Sequence, residues 1–101
     1  MGTKEDLAPL IDEVVQSMTS NEFTTYDFIM SFARTQEKPY VKALHDNIEH
    51  AAGPFGAVEE VIESLLAASE KASKLKDGAR AIDMFGLPST TTLWQRKTAD
   101  K

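Results

Sequence analysis

The stretch that decides the fold is Phe85-Gly86-Leu87-Pro88-Ser89-Thr90-Thr91-Thr92-Leu93-Trp94, near the end of a chain of 101 residues. Gly86 to Ser89 has the composition of a turn, because Gly and Pro favour the backbone angles that tight turns require. The runs on either side, Ala79 to Phe85 and Thr90 to Arg96, are short and tolerate the β conformation. The sequence therefore predicts a closing β-hairpin, in which Leu93 and Trp94 pack against the rest of the fold.

Apolar residues at helical spacing predict two helices in the first half of the chain. The stripe of the first helix, which Thr3 and Asp6 would cap, consists of Leu7, Leu10, Ile11, Val14, Val15 and Met18. Thr24 and Asp27 have the same capping spacing, so the second helix is expected to begin near Thr25. A break is expected near residues 36–38, with Pro39 opening a further segment, because proline is tolerated at a helix start but not in its interior.

A third helix is predicted from Ala57 to Lys74, after the turn-like sequence Gly53-Pro54-Phe55-Gly56. Its inward stripe consists of Val58, Val61, Ile62, Leu65 and Leu66. Its outward face would carry Glu59, Glu60, Glu63, Ser64, Ala67 and Glu70. Lys71 and Lys74 are placed at its carboxyl end, where cations are favourable.

Composition indicates one globular domain spanning residues 1–101, with residues 1–4 and 98–101 expected to fray. Hydrophobic residues make up 42% of the chain, and the absence of cysteine excludes disulfides and thiolate metal sites. The start of the chain has no apolar run, so we expect neither a secretory signal nor a membrane span, and a cytoplasmic location.

Three helices, a short strand-like piece before the second, and a closing hairpin with a Trp-bearing last strand resemble a winged helix-turn-helix domain. Phe23-Thr24-Thr25-Tyr26-Asp27-Phe28-Ile29 resembles the entry to helix two in small bacterial winged-helix proteins of unknown role, and Phe85 to Trp94 resembles the wing. The resemblance implies a mostly α fold with a small hairpin (α+β). It also implies a DNA-associated or transcription-regulatory role, with helix three in the major groove of duplex DNA.

The charge distribution favours a different contact with DNA. Residues 1–70 hold 13 acidic and 4 basic residues, whereas residues 71–101 hold 3 acidic and 7 basic residues. Because DNA binding depends on cations that displace counterions, the acidic helix three is poorly suited to the major groove. Contact is expected instead through the wing and the basic end of the chain, by Lys71, Lys74, Lys76, Arg80, Ser89, Arg96 and Lys97.

The acidic face of helix three supports an alternative, a protein-interaction module in which Glu59, Glu60 and Glu63 attract a basic protein partner. Solvated charges that bind nothing would explain both the acidic and the basic surfaces equally well. The sequence leaves the choice of partner and the oligomeric state open.

No constellation indicates an enzyme, a metal site or a cofactor. His45 and His50 are five residues apart, whereas the usual pair of helical metal ligands is four apart. Glu59 and Glu63 share a helix face, but an open helix supplies no pocket for acid–base catalysis. We therefore expect a non-enzymatic binding domain without a cofactor.

Overall fold

The computed structural model describes residues 2–97, which form four helices and a three-stranded antiparallel sheet. The helices are α1 (Thr3–Ser17), α2 (Thr25–Thr35), α3 (Glu37–Asp46) and α4 (Gly53–Ala68). The strands are β1 (Glu22–Thr24), β2 (Ala72–Ile82) and β3 (Pro88–Arg96). The predicted α+β class and the closing hairpin are confirmed.

The sheet has the strand order β1-β3-β2, so the strand that comes last in the chain lies in the centre. Trp94 of β3 pairs with Phe23 of β1 on one side and with Lys74 of β2 on the other. Residues directly opposite each other on neighbouring strands share a face of the sheet. Phe23, Trp94 and Lys74 therefore lie on the same face.

Every helix contributes to one buried cluster, which the sheet covers through Phe23 and Trp94. Phe28 and Phe32 of α2 form tilted ring contacts in its centre, with centroids 5.9 Å apart. Trp94 is only 2% exposed, so the apolar role expected for it in the last strand is confirmed. The cluster also contains Leu7, Ile11, Val14, Val15, Ile29, Tyr40, Ala43, Val58, Ile62, Leu65, Leu66 and Ala72.

The amino-terminal cap of α1 differs from the prediction. Gly2 is the cap residue, and its backbone N–H donates to Oε1 of Glu5 at 3.1 Å, so the predicted pair of Thr3 and Asp6 is wrong. Thr3 and Lys4, which were expected to fray, belong to the first turn of the helix. The fraying expected for residues 98–101 lies outside the described residues.

The cap of α2 is the predicted one. The N–H of Asp27 donates to Oγ1 of Thr24 at 3.1 Å, and the N–H of Thr24 donates to Oδ2 of Asp27 at 3.0 Å. The break falls at Gln36, and α3 begins at Glu37, two residues before Pro39. The described residues thus form four helices, and the prediction of three is wrong because the segment that was expected to open at Pro39 is a complete helix that begins at Glu37.

The bounds predicted for the next helix are also wrong. α4 begins at Gly53 and ends at Ala68, because proline is compatible with its first turn and Ser69 adopts an extended conformation. Gly53-Pro54-Phe55-Gly56 therefore starts the helix instead of preceding it. Lys71 and Lys74 do not lie at a helix end. Lys71 precedes β2 and Lys74 lies within it.

The first strand of the hairpin is longer than predicted. β2 starts at Ala72, seven residues before the predicted start at Ala79, and its pairing with β3 shifts between Lys74 and Lys76 and again between Lys76 and Ala79. Such irregularities weaken the periodicity by which a strand is recognised in sequence. Residues 83–87 form the turn, which we call the hairpin tip.

Candidate binding surface of helix α4 and the hairpin tip

The solvent side of α4 is acidic, but its three predicted glutamates are not equivalent. Glu60 is exposed, as are Ser64 and Ala67 one and two turns further along. Glu59 and Glu63 lie on the flank of the helix and are half-buried. The prediction that both side chains point fully outward is therefore corrected. Glu60 is therefore the glutamate of this group that α4 presents most openly to a partner.

Glu63 is engaged inside the protein. The indole N–H of Trp94 donates to Oγ1 of Thr25 at 2.9 Å, and that hydroxyl donates to Oε2 of Glu63 at 3.0 Å. Thr25 is fully buried, so this chain of hydrogen bonds satisfies polar groups that would otherwise be costly to bury. Glu63 thus helps to hold α4 against α2 and β3.

A shallow groove runs between α4 and the hairpin. Its walls are formed by Glu60, Glu63, Ser64 and Ala67 of the helix and by Lys74, Asp77, Thr92 and Trp94 of the strands. Nζ of Lys74 lies 3.1 Å from Oδ1 of Asp77. The two side chains form a salt bridge that is exposed to solvent. The cation of Lys74 is accordingly paired with Asp77, and because Glu60 and Glu63 also line the groove, the groove as a whole is acidic.

The hairpin tip has an ordered conformation that Asp83 organises. One carboxylate oxygen of Asp83 accepts hydrogen bonds from the backbone N–H groups of Phe85 and Leu87, each at 2.9 Å. The N–H of Asp83 also donates to the carbonyl of Leu87 at 2.8 Å. Gly86 has a φ of 84°, a conformation that residues with a side chain rarely adopt.

This ordered tip exposes large apolar side chains. Phe85 is 61% exposed, Leu87 60% and Ile82 59%, and Phe55 in the first turn of α4 is 42% exposed. The rings of Phe55 and Phe85 meet edge to face with centroids 5.1 Å apart, so the tip and the start of α4 form one surface. We call Phe55, Ile82, Phe85 and Leu87 the apolar tip patch.

Carboxylates lie beside the apolar tip patch. Partial burial raises the pKa of the Glu59 carboxyl above its ordinary value, and the negative charges of Glu63, Glu60 and Asp83 raise it further. Burial also raises the pKa of the Tyr40 phenol to about 12, with a further contribution from the charge of Glu59. The start of α4 and the hairpin tip therefore share a region of negative potential.

Of the seven residues predicted to contact nucleic acid, Arg80 and Ser89 line one pocket on the hairpin, and the others are distributed along its length. Lys76 and Arg80 are exposed on β2, the edge strand of the sheet. Lys71 and Lys97 are neighbours at the other end of the hairpin, where the N–H of Lys97 donates to the carbonyl of Lys71 at 2.8 Å. Lys74 lies in the acidic groove, and the hydroxyl of Ser89 shares a hydrogen bond of 3.1 Å with that of Tyr26.

Arg96 is occupied by the backbone of its own chain. Its guanidinium donates to the carbonyls of Met18 at 2.6 Å and Gln16 at 3.2 Å, and to Oδ1 of Asn21 at 3.0 Å. These acceptors lie at the end of α1 and in the connection to β1. Arg96 therefore ties β3 to α1, a role that its position in a basic run does not reveal.

The two histidines are engaged locally and separately. Nδ1 of His45 lies 3.7 Å from Oδ1 of its neighbour Asp46, while Nδ1 of His50 accepts a hydrogen bond from the N–H of Ala52 at 3.0 Å. Residues 2–97 contain no group of three or more His, Asp or Glu side chains that could hold a metal ion. Within the same residues, no helix combines the length and the apolar content that crossing a bilayer requires.

Comparison of the chain with protein-family models, with curated proteins and with solved structures finds no match. The fold and the surface described above define a small α+β domain.

The apolar tip patch is the feature that the sequence analysis missed. The sequence places Phe85 and Leu87 in the predicted hairpin and Phe55 in the turn before the third helix. It does not predict that these side chains are exposed close to one another. A signal was present, because large apolar residues on both sides of a turn glycine are unusual where a loop faces water. Their proximity to Phe55, 30 positions away in the chain, depends on the tertiary fold.

Proposed function

We propose that the chain is a non-enzymatic binding domain of winged-helix layout that docks a basic segment of another protein on α4 and the hairpin tip. The layout is supported by a helix and short strand at the start, a central pair of helices, and a last helix followed by a hairpin. α3 is an addition to the simplest three-helix form. Because folds of this kind serve several purposes, the role has to rest on the surface.

The observation that carries the proposal is that neither α4 nor the hairpin around its tip contributes a cation of its own, so that carboxylates outnumber the neighbouring cations Lys74 and Arg80. Neither residues 53–68 of α4 nor residues 81–88 around the tip contain a Lys or an Arg, whereas Glu59, Glu60, Glu63 and Asp83 all lie there. Duplex DNA would repel such a surface, since its affinity for proteins comes largely from cations placed against phosphates. A lysine- or arginine-rich protein segment would be attracted by it.

DNA association through the basic end of the chain is the second candidate. Exposed Lys76 and Arg80 favour it, because they lie on a strand edge that could approach a phosphate backbone. Lys71 and Lys97 could add contacts at the far end of the hairpin. Fewer residues are available for DNA contact than the sequence predicts, because Arg96, Lys74 and Ser89 have partners within the protein.

One NMR titration separates the two candidates. The ¹⁵N-labelled protein is titrated at low salt with a short lysine-rich peptide and, separately, with a short DNA duplex. We expect the peptide to shift the amide signals of residues 59–67 and of the hairpin tip, and the shifts to weaken as salt is added. Shifts confined to Lys76, Arg80 and their neighbours in the duplex titration, with no effect of the peptide, would contradict the proposal.

Charge reversal provides the matched control. Glu60→Lys places a cation in the centre of the acidic face and should abolish the peptide-induced shifts. Glu13→Lys makes the same change on the exposed face of α1 and should leave them intact. Equal weakening by both variants would mean that the peptide responds to the net charge of −5 and not to this surface.

A further inference from the structure

We infer that the apolar tip patch is an anchor site, which receives a large apolar side chain carried by the basic segment that docks on α4. The inference rests on the proposed function and specifies its partner, an amphipathic segment with cations on one side and apolar residues on the other. Phe55, Phe85 and Leu87 would contact the apolar side chain. Glu59 and Glu60 would face the cations that flank it.

The apolar tip patch is held in place before any partner arrives. The carboxylate of Asp83 accepts hydrogen bonds from two backbone N–H groups and so fixes the backbone of the hairpin tip. The T-shaped ring contact holds Phe85 against Phe55. Side chains that are already ordered lose little conformational freedom on binding, which improves affinity. A loop whose only role is to connect two strands has no need for two large apolar side chains as exposed as Phe85 at 61% and Leu87 at 60%.

Burial of the apolar tip patch against a partner would be favourable. Aromatic and large aliphatic side chains near the centre of an interface contribute most of the binding free energy, provided that they become desolvated. The four side chains of the patch come from α4, the end of β2 and the hairpin tip, and the rings of Phe55 and Phe85 are in direct contact. The two rings therefore offer one joint apolar contact, with Ile82 and Leu87 exposed nearby in the chain, whereas apolar residues exposed singly would need no explanation.

The charge around the apolar tip patch identifies its occupant. Glu59, Glu60 and Asp83 lie beside it, and the nearby cation of Arg80 offsets only one of them. A second copy of this chain would bring one set of these carboxylates towards another, which like-charge repulsion disfavours. A cationic amphipathic segment satisfies the apolar and the acidic parts of the surface at once.

The experiment uses defined peptides as probes. Fluorescence anisotropy measures the binding of three labelled peptides of equal length to the full chain. The first is an amphipathic peptide of Lys and Leu, the second contains Lys and Ser, and the third contains Glu and Leu. We expect the Lys–Leu peptide to bind at least about tenfold more tightly than either of the others, because only it offers both properties.

Variants of the patch locate the contact. Phe85→Ser with Leu87→Ser should weaken the Lys–Leu peptide about tenfold or more, and Leu87→Ser alone provides a milder test in which the ring contact is kept. Val41→Ser is the control, since Val41 is 54% exposed and lies on α3. It should leave the affinity unchanged, and circular dichroism establishes that each variant is folded.

The outcomes are distinguishable. Equal binding of the Lys–Ser and Lys–Leu peptides, with no effect of the patch variants, would overturn the anchor site while leaving the acidic docking face in place. Loss of affinity in the patch variants with no effect of Glu60→Lys would overturn the acidic docking face instead. Concentration-dependent dimerisation in sedimentation that the patch variants abolish, or binding of the patch to phosphatidylcholine vesicles, would overturn the basic segment as its occupant.

Discussion

Thr25 joins three elements of the fold through one hydroxyl group. It lies at the first position of α2, accepts a hydrogen bond from Trp94 of β3 and donates one to Glu63 of α4. Thr25 is fully buried and Trp94 is 2% exposed, so the indole N–H could not exchange this hydroxyl for water without local opening. A buried polar group with a complete set of partners stabilises one arrangement of the surrounding elements over others.

Replacing Thr25 with valine should destabilise the protein by about 1–3 kcal/mol, because the indole N–H and the Glu63 carboxylate would both lose their partner while the shape stayed nearly the same. Urea denaturation followed by the fluorescence of Trp94, the single tryptophan of the chain, measures the change. Thr19→Val makes the same substitution at an exposed position and should have little effect. Equal unfolding midpoints for Thr25→Val and the wild type would contradict this role of the hydroxyl.

Single residues were predictable to the extent that their role depends on nearby sequence. Thr24 and Asp27 are three positions apart and form the expected cap. Trp94 was expected in a strand that packs on the helices, and this is confirmed, but its partner Thr25 lies 69 positions away. Arg96 likewise gains its role from carbonyls about 80 positions earlier in the chain, which no local pattern reveals.

At the scale of elements, α4 and the hairpin tip bring together carboxylates that repel one another. The folded state raises the pKa of Glu59, mainly through burial and then through Glu63, Glu60 and Asp83. A raised pKa means that the folded protein binds this proton more tightly than the unfolded chain does. The stability that Glu59 contributes is therefore present below the ordinary carboxyl pKa of the unfolded chain. It is lost as the pH rises through the raised pKa of the folded protein.

Glu59→Gln should consequently raise the melting temperature at neutral pH, and the gain should shrink as the pH falls below the ordinary carboxyl pKa, where Glu59 is protonated in both states. Thermal unfolding followed by circular dichroism across this range measures the effect. Glu13→Gln, the same change on the exposed face of α1, serves as the control. A lower melting temperature for Glu59→Gln at neutral pH would show that its charge is stabilising.

The type of each element was easier to predict than its ends. The apolar stripes of α1 and α4 follow helical spacing closely, and both helices exist. The bounds of α4 were misjudged because Gly and Pro are ambiguous signals, which end a helix in one context and start it in another. The early part of β2 was missed because its charged residues and its bulges hide the alternation of a strand.

For the whole molecule, the central position of β3 decides how the sheet is held together. Leu93 pairs with Thr24 on one side and with Lys76 on the other, whereas Leu75 falls in the irregular part of the β2 edge strand. A proline in a central strand removes a hydrogen bond of the ladder and clashes with its neighbours, while an edge strand tolerates it better.

Leu93→Pro should therefore abolish the cooperative unfolding transition, or reduce the free energy of unfolding by about 3 kcal/mol or more. Leu75→Pro provides the matched substitution at the edge and should cost clearly less. Urea denaturation and the dispersion of amide NMR signals measure both. Similar losses in the two variants would mean that the hairpin behaves as one unit in which the position of a strand makes no difference.

The surface that we propose as the binding site combines residues from distant parts of the chain. For this reason only part of it could be predicted from the sequence. The acidic character of α4 could be read from Glu59, Glu60 and Glu63, and this part was expected. The apolar tip patch could not, because it forms only when the hairpin folds back onto the start of α4 and places Phe85 on Phe55. Sequence patterns report contacts within an element far better than contacts between elements.

The position of β3 also has a consequence for how the protein is made. A ribosome releases the chain in order, so β1 and β2 emerge before the strand that separates them in the finished sheet. Until residues 88–96 leave the exit tunnel, Phe23 has no tryptophan to pack against and the end of α1 lacks the guanidinium that ties it down. The nascent domain must therefore wait in an incomplete state, and this interval is when a chaperone would be of most use to it.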